Sequence, residues 1–264
     1  MLMVLSPAKS LNFERPQARL PLSAPELMDD VAELAEVTAR LRAADLKRLM
    51  KLSDDLAELN RERFQVFDPA SEEGLQAALA FNGDVYQGLR ARELDKKALA
   101  WAQDRVRILS GLYGVLRPLD AIQPYRLEMG TRLKTRRGPN LYRFWGDRIA
   151  RALNEASRGH KDRTLVNLAS QEYFAAVDLD ALETPVVSLR FLEEKDGEAK
   201  VVSFYAKRAR GMAARWAIDH RIDKAAKLKG FDVAGYRFSE ELSSEAEWTF
   251  VRPQPPPAGA AKES

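Results

Sequence analysis

The sequence predicts an α+β protein, a mixed β-sheet surrounded by helices, on three observations. Segments whose apolar residues recur at helical spacing outnumber those that alternate at strand spacing. The strand-like segments are short and scattered along the chain rather than gathered together. At 264 residues, 45% hydrophobic and 31% charged, the chain is long enough to bury a full core and too polar for a bilayer.

Each element follows from local chemistry. "MLMVL" at the start is a short apolar run closed by Ser6 and Pro7, hence a buried strand and a turn. It is far too short for a signal-peptide core or a spanning helix, so a cytoplasmic protein with no membrane partner is expected. "SAPELMDDVAELAEVTARL" reads as a helix with Ser23 as N-cap, Pro25 in the first turn, Glu26 completing a capping box, and Leu27, Val31, Leu34 and Leu41 at helical spacing. "AADLKRLMKLSDDLAELNRERFQVF" reads as two helices joined by a tight turn at Lys51 to Ser53, with Ser53 capping the second. A helix is expected over "SEEGLQAALAF", broken by the two glycines of "FNGDVYQGL". "ELDKKALAWAQDRV" is helical and "RILS" a short strand.

Beyond these, "LYRFWGDRIARALNEASR" returns to helix, and "RTLVNLAS" is a strand that turns into the helix "QEYFAAV". "PVVSLRFLEEKDGEAKVVSFYA" holds two alternating, β-branched runs around Asp196 and Gly197, the strongest hairpin signal in the chain. The basic helix "KRARGMAARWAIDHR" follows, and Glu247 to Val251 is a last strand. No repeat is visible, so residues 1–252 are expected to form a single elaborated domain, with 253–264 a disordered Pro-rich tail.

Charge is unevenly spread. The net formal charge is only +3, yet Arg105 to Arg151 holds eleven basic residues against Asp120, Glu128 and Asp147. Lys200 to Arg215 holds five basic residues and no acid, whereas Glu26 to Glu73 carries thirteen acids against seven bases. Such polarity suits a phosphate-binding face if folding joins the basic stretches, or ordinary solvated faces if it does not. The chain has no cysteine, which excludes thiol peroxidase chemistry, disulfide switches and cysteine-ligated metal.

Candidate sites follow from these stretches. The Lys51-Leu52-Ser53 turn, with Ala57 as the small residue beyond it, has the spacing of a helix-hairpin-helix module without its two glycines. Lys207, Arg208, Arg210 and Arg215 lie on one helix with Ala209, Met212, Ala213 and Trp216 as its apolar side, a candidate anion surface. In "LSGLYGVLRPLDAIQPYRLEMG", Pro118 and Pro124 constrain the backbone at Arg117 and Gln123, so Arg117 and Arg126 are presented either to an external oxyanion or to Asp120 and Glu128. Ser6, Ser110 and Ser170 fall at strand ends, and Lys9, Asp84, Glu128, Asp147 and Glu172 could act as bases or metal ligands. Their spacing specifies no reaction, and there is no nucleophile elbow, phosphate loop or dinucleotide fingerprint.

Read together, "LSPAKSL", "FNGDVYQGL", "LSGLYGVLRPLDAIQPYRLEMG", "LYRFWGD", "NLAS" with "EYF", and "SFYAKRARG" resemble the bacterial peroxide stress protein YaaA family in order and spacing, over about residues 1–252. The resemblance implies a cytosolic protein of the hydrogen-peroxide response that keeps unincorporated iron low. It also implies an α/β fold with a helix-hairpin-helix element, here about 45–66, and a basic cleft that binds DNA. The expected partner is double-stranded DNA, bound largely without regard to sequence, by a monomer with no metal and no cofactor. Lys47, Lys51 and Ser53 in the hairpin and Arg117, Arg126, Lys207, Arg208 and Arg210 in the cleft are the expected phosphate contacts. The alternative is an enzyme acting on a phosphorylated or nucleotide-like small molecule in the same cleft, with Glu128 or Asp147 as base.

Overall fold

The computed structural model describes residues 1–16 and 20–255. A mixed eight-stranded sheet runs through it. Its strands are β1 (Leu2–Leu5), β2 (Val106–Ser110), β3 (Gly114–Leu116), β4 (Leu165–Leu168), β5 (Val186–Lys195), β6 (Glu198–Lys200), β7 (Arg237–Ser239) and β8 (Glu247–Pro253). Across the sheet they lie in the order β7-β8-β5-β4-β1-β2-β3, with β6 paired to β5. The run from β8 to β2 is parallel; β3, β6 and β7 pair antiparallel at its margins. Every residue of β1, β2 and β4 is buried, as expected of parallel strands covered on both faces.

The longer helices are α1 (Met28–Thr38), α2 (Ala43–Met50), α3 (Asp54–Val66), α4 (Asp84–Leu89), α5 (Lys96–Arg105), α6 (Leu141–Trp145), α7 (Arg148–Ser157) and α8 (Ser203–Asp219). Mixed sheet and helices together make the fold α+β, as the periodicities predict. The turn at Asp196 and Gly197 also forms where expected, with both residues at positive φ (53° and 79°), the conformation of a primed two-residue turn, but its second strand ends at Lys200 and Ser203–Ala206, read as part of the second run, opens α8.

Four local expectations are altered by tertiary contacts. First, α1 begins at Met28, not after Ser23, because the Ser23 hydroxyl donates to Asp120 Oδ1 at 2.6 Å instead of capping a helix. Second, within 71–81 only Ala77–Ala80 is helical; Leu75–Gln76 pairs with Ala121–Ile122, and a Cβ at Gly74 would sit 2.7 Å from the Ile122 carbonyl oxygen. Third, the helix expected over 141–158 divides into α6 and α7 at Gly146, whose φ is +49°.

Fourth, the expected break in "FNGDVYQGL" is the helix α4, which packs on α8 backbone to backbone. A Cβ at Gly88 would lie 2.1 Å from the Arg208 carbonyl oxygen, and one at Gly211 would lie 1.8 Å from that of Val85. Gly88, which argues against a helix locally, is what lets the two helices touch.

A T-shaped and stacked group of Phe191, Phe231, Tyr236 and Phe250 fills the space beside β5 and β8. There the buried Glu193 accepts from Arg252 Nε at 2.7 Å and from the Tyr236 hydroxyl. Strand β8 extends to Pro253, which pairs opposite Glu194, so the first residue of the segment read as a tail belongs to the sheet. Residues 256–264 lie outside the described residues. Of the six methionines, Met1, Met3, Met50 and Met129 are buried, and Met28 and Met212 are half-buried.

Candidate anion-binding site

Strand order reverses at β1. From β1 the chain moves to β2 on one side and later returns to β4 on the other. Such a switch point opens a crevice beyond the C-terminal ends of the parallel strands, the usual place for a ligand in open α/β sheets. The three strand-end serines of the sequence meet this region. Ser6 Oγ accepts from the Ser170 N–H at 2.8 Å and lies 3.3 Å from Ser170 Oγ. Ser110 Oγ is 2.6 Å from the Tyr125 hydroxyl, and the Tyr86 hydroxyl donates to the Ser6 carbonyl at 3.1 Å. Burial pushes both tyrosines well above the usual phenol range, so they stay neutral hydrogen-bonding groups.

In the same loop, Glu128 Oε2 binds Lys9 at 2.7 Å and Glu128 Oε1 binds Arg126 at 3.0 Å, so one carboxylate bridges two cations. Glu172 accepts from the Gly130 N–H at 3.0 Å, which pins the end of the same loop. The blocks "LSPAKSL", "LSGLYGVLRPLDAIQPYRLEMG" and "NLAS" with "EYF" therefore converge in space.

Beyond Gly130 the loop becomes a cationic ribbon. Thr131 and Leu133 are buried while Arg132, Lys134 and Arg136 are exposed, the alternation of extended chain. A turn closed by mutual hydrogen bonds between Thr135 and Gly138 ends it, and exposed Arg143 follows. Met129 to Gly146 contains no acid, and among the described residues none of these four cations has an ion-pair partner. Arg137, in contrast, is bound by Asp30 and Glu33. The charge surplus of residues 105–151 signalled this segment; the period-two burial that sorts its free from its buried positions was the missed clue.

The residues expected as phosphate contacts divide into two groups. Lys207 and Arg208 are exposed on α8 without ion-pair partners among the described residues, and Arg208 borders a small hollow with Gln87, Arg90 and Arg215. Lys51 is exposed and holds φ +53°, the left-handed turn position that a glycine would otherwise fill. Ser53 caps α3 by accepting from Leu56 N–H at 3.4 Å, and Lys47 binds Asp54 at 2.7 Å. Arg117 faces inward, with Nε 2.9 Å from Asp120 Oδ1 and an amino group donating to the Ala24 carbonyl at 2.6 Å. Arg126 serves Glu128, and Arg210 is recessed against a different cavity from its neighbours Lys207 and Arg208. Among the described residues, no group of three or more His, Asp or Glu is arranged to hold a metal, and no helix is long and apolar enough to cross a membrane.

Fold and site define an α+β protein in which an exposed, acid-free cationic segment follows the loop at the C-terminal ends of the central parallel strands. A family model described as peroxide stress protein YaaA matches residues 1–242. A UPF0246 protein of Phenylobacterium zucineum is 71% identical over 262 residues, covering 99% of this chain and 98% of its own length. One from Caulobacter vibrioides is 68% identical over 97% of this chain and 100% of its own, and one from Maricaulis maris 52% identical over 98% of each. The chain belongs to the peroxide stress protein YaaA family, and the family description supports a role in peroxide stress.

Proposed function

We propose that this protein acts in the peroxide response by binding double-stranded DNA, largely independently of sequence, and so limits iron-dependent damage. The observation that carries the reading is the set of exposed cations at Arg132, Lys134, Arg136 and Arg143, without ion-pair partners among the described residues, within an acid-free segment. Lys207 and Arg208 add a second cationic face, and Lys51 and Ser53 offer contacts from the helix pair. Arg117 and Arg126 act as supports that hold the loop. Ferrous iron on phosphate turns peroxide into hydroxyl radical beside the duplex; a protein that neutralises those phosphates displaces the iron.

Binding of this kind releases counterions, so log affinity falls with log salt with a slope of about −0.9 per phosphate neutralised. Fluorescence anisotropy with an unrelated-sequence duplex across a salt series tests it. Arg132→Glu with Arg136→Glu is expected to weaken binding to every duplex and to flatten the slope by about two units. Lys207→Glu with Arg208→Glu reports on the α8 face in the same way. Failure of the wild type to bind at low salt would sink the proposal.

A second reading is favoured by the serine pair Ser6 and Ser170 beside Lys9, Arg126 and Glu128 at the switch point. There the protein would be an enzyme acting on a phosphorylated or nucleotide-like small molecule. Loss of activity toward such a compound in Ser6→Ala and Lys9→Ala, with duplex binding intact, separates it from the first.

A further inference from the structure

Away from the ribbon, a cavity of about 580 Å³ opens between the start of α8, the strands β4 and β5, and the segment that follows β4. Its walls are mostly apolar, with Phe174, Val177 and Leu189 inside and exposed Leu179 and Val201 at the rim. Into it runs Arg210. Among the described residues no carboxylate lies within ion-pair distance of this guanidinium, and its Nε is buried with no hydrogen-bond partner. Burial also draws its pKa below the usual arginine range, without a neighbouring charge to offset the loss of water.

A cation withdrawn from water is normally paired, because desolvation is costly. Arg117, Arg137 and Arg252 are paired with carboxylates, and the buried Arg107 donates to the backbone carbonyls of Gln103 and Val106. The other charges lining the cavity, Arg190 and Glu247, lie 3.5 Å apart and balance each other. One unit of positive charge is therefore left over. The neutral groups complement it. Ser188 Oγ accepts from Asn167 Nδ2 at 3.1 Å, which leaves the serine O–H free to donate, while Asn167 Oδ1 is already taken by the Ala169 N–H. The cavity thus offers donors for one acceptor group and an apolar chamber beside it, within the size range of small-molecule sites.

We infer that this cavity binds a small amphipathic monocarboxylate, its carboxylate on the Arg210 guanidinium and the Ser188 hydroxyl and its apolar body among Phe174, Val177 and Leu189. A guanidinium fork matches a carboxylate in two parallel hydrogen bonds. With Arg190 and Glu247 balanced, one unit of positive charge matches a monoanion and leaves a doubly charged phosphate head half neutralised. None of the ribbon residues 129–146 lines the site, and it does not depend on DNA binding.

Isothermal titration of the full chain with phenylacetate, phenyl phosphate and uncharged 2-phenylethanol tests the inference. Phenylacetate is expected to bind saturably at one site, more tightly than the other two, and Arg210→Gln to weaken it by about tenfold or more, as loss of a charge-assisted pair does. Thermal unfolding without ligand supplies the readout that a merely structural arginine would move the other way: Arg210→Met is expected to raise Tm, since it removes a half-buried charge with no ion-pair partner among the described residues. Absence of phenylacetate binding to the wild type, equal binding by Arg210→Gln, or a lowered Tm for Arg210→Met each overturns the inference. Tighter binding of phenyl phosphate overturns the choice of carboxylate. Duplex binding by Arg210→Gln is expected to match wild type, so the two proposals fail separately.

Discussion

His160 shows how a single side chain carries information that its sequence neighbours hide. Flanked by Gly159 and Lys161 it reads as exposed, yet it is buried, with Nε2 3.4 Å from the Asp104 carboxylate. Burial lowers its pKa first, and the nearby N-terminal ammonium and Arg105 add to the effect against the opposing pull of Asp104. The folded protein therefore keeps this ring neutral at a pH where the unfolded chain takes up a proton. Stability contributed by the neutral ring is present above the ordinary histidine pKa of about 6.5 and is lost as pH falls below it. Urea denaturation of wild type and His160→Gln across this window checks the sign. The wild type is expected to lose midpoint on acidification and the variant to lose less; parallel curves would assign the slope to other groups. Residue-scale legibility elsewhere was mixed for the same reason. Arg117 and Arg126 were recognisable as constrained, but whether a guanidinium faces out or in depends on a carboxylate that the fold brings to it.

At the scale of elements, the α2 and α3 pair was written in the sequence because caps, turn residues and apolar spacing all lie within one local stretch. Helix α4 was not, because Gly88 within it and Gly83 just before it lower intrinsic helix propensity, and the compensation comes from α8, over a hundred residues away. The contact is backbone against backbone, so nothing flexible can yield to an added methyl group. Gly211→Ala is expected to cost about 3 kcal/mol or more, beyond the usual range for overpacking, even though alanine is the better helix former. A lowered denaturation midpoint would confirm it, and an unchanged or raised midpoint would mean that α4 can slide along α8. Because Arg208 sits at that crossing, the same substitution is expected to disturb the cationic face of α8, read as weaker duplex binding by the fraction that remains folded.

For the whole molecule, the strand-end serines were legible and the order of the strands was not. Hydrophobic runs reveal which segments are buried, but any of several parallel orders buries them equally well. The last strand illustrates the point. The matched family model ends at residue 242, yet β8 lies between β5 and β7 with Thr249 and Phe250 fully buried. A chain truncated after Leu242 is expected to lose cooperative unfolding, because it exposes the length of β5, the aromatic group around Phe191, and the carboxylate of Glu193 without Arg252. Circular dichroism melting of the truncated chain checks this; a sharp transition at the full-length Tm would show that β8 is dispensable.

The burial of Met1, Met3, Met50 and Met129 has a kinetic meaning for a protein of peroxide stress. Sulfoxide formation requires an oxidant to reach the thioether. At Met28 and Met212 it can do so partly from the native state, but at Met3 and Met129 it must wait for the structure to open. Their oxidation, followed by peptide mass spectrometry during peroxide exposure, therefore records how often the core opens. With no thiol to react first, those sulfur atoms become a built-in clock of the protein's own unfolding.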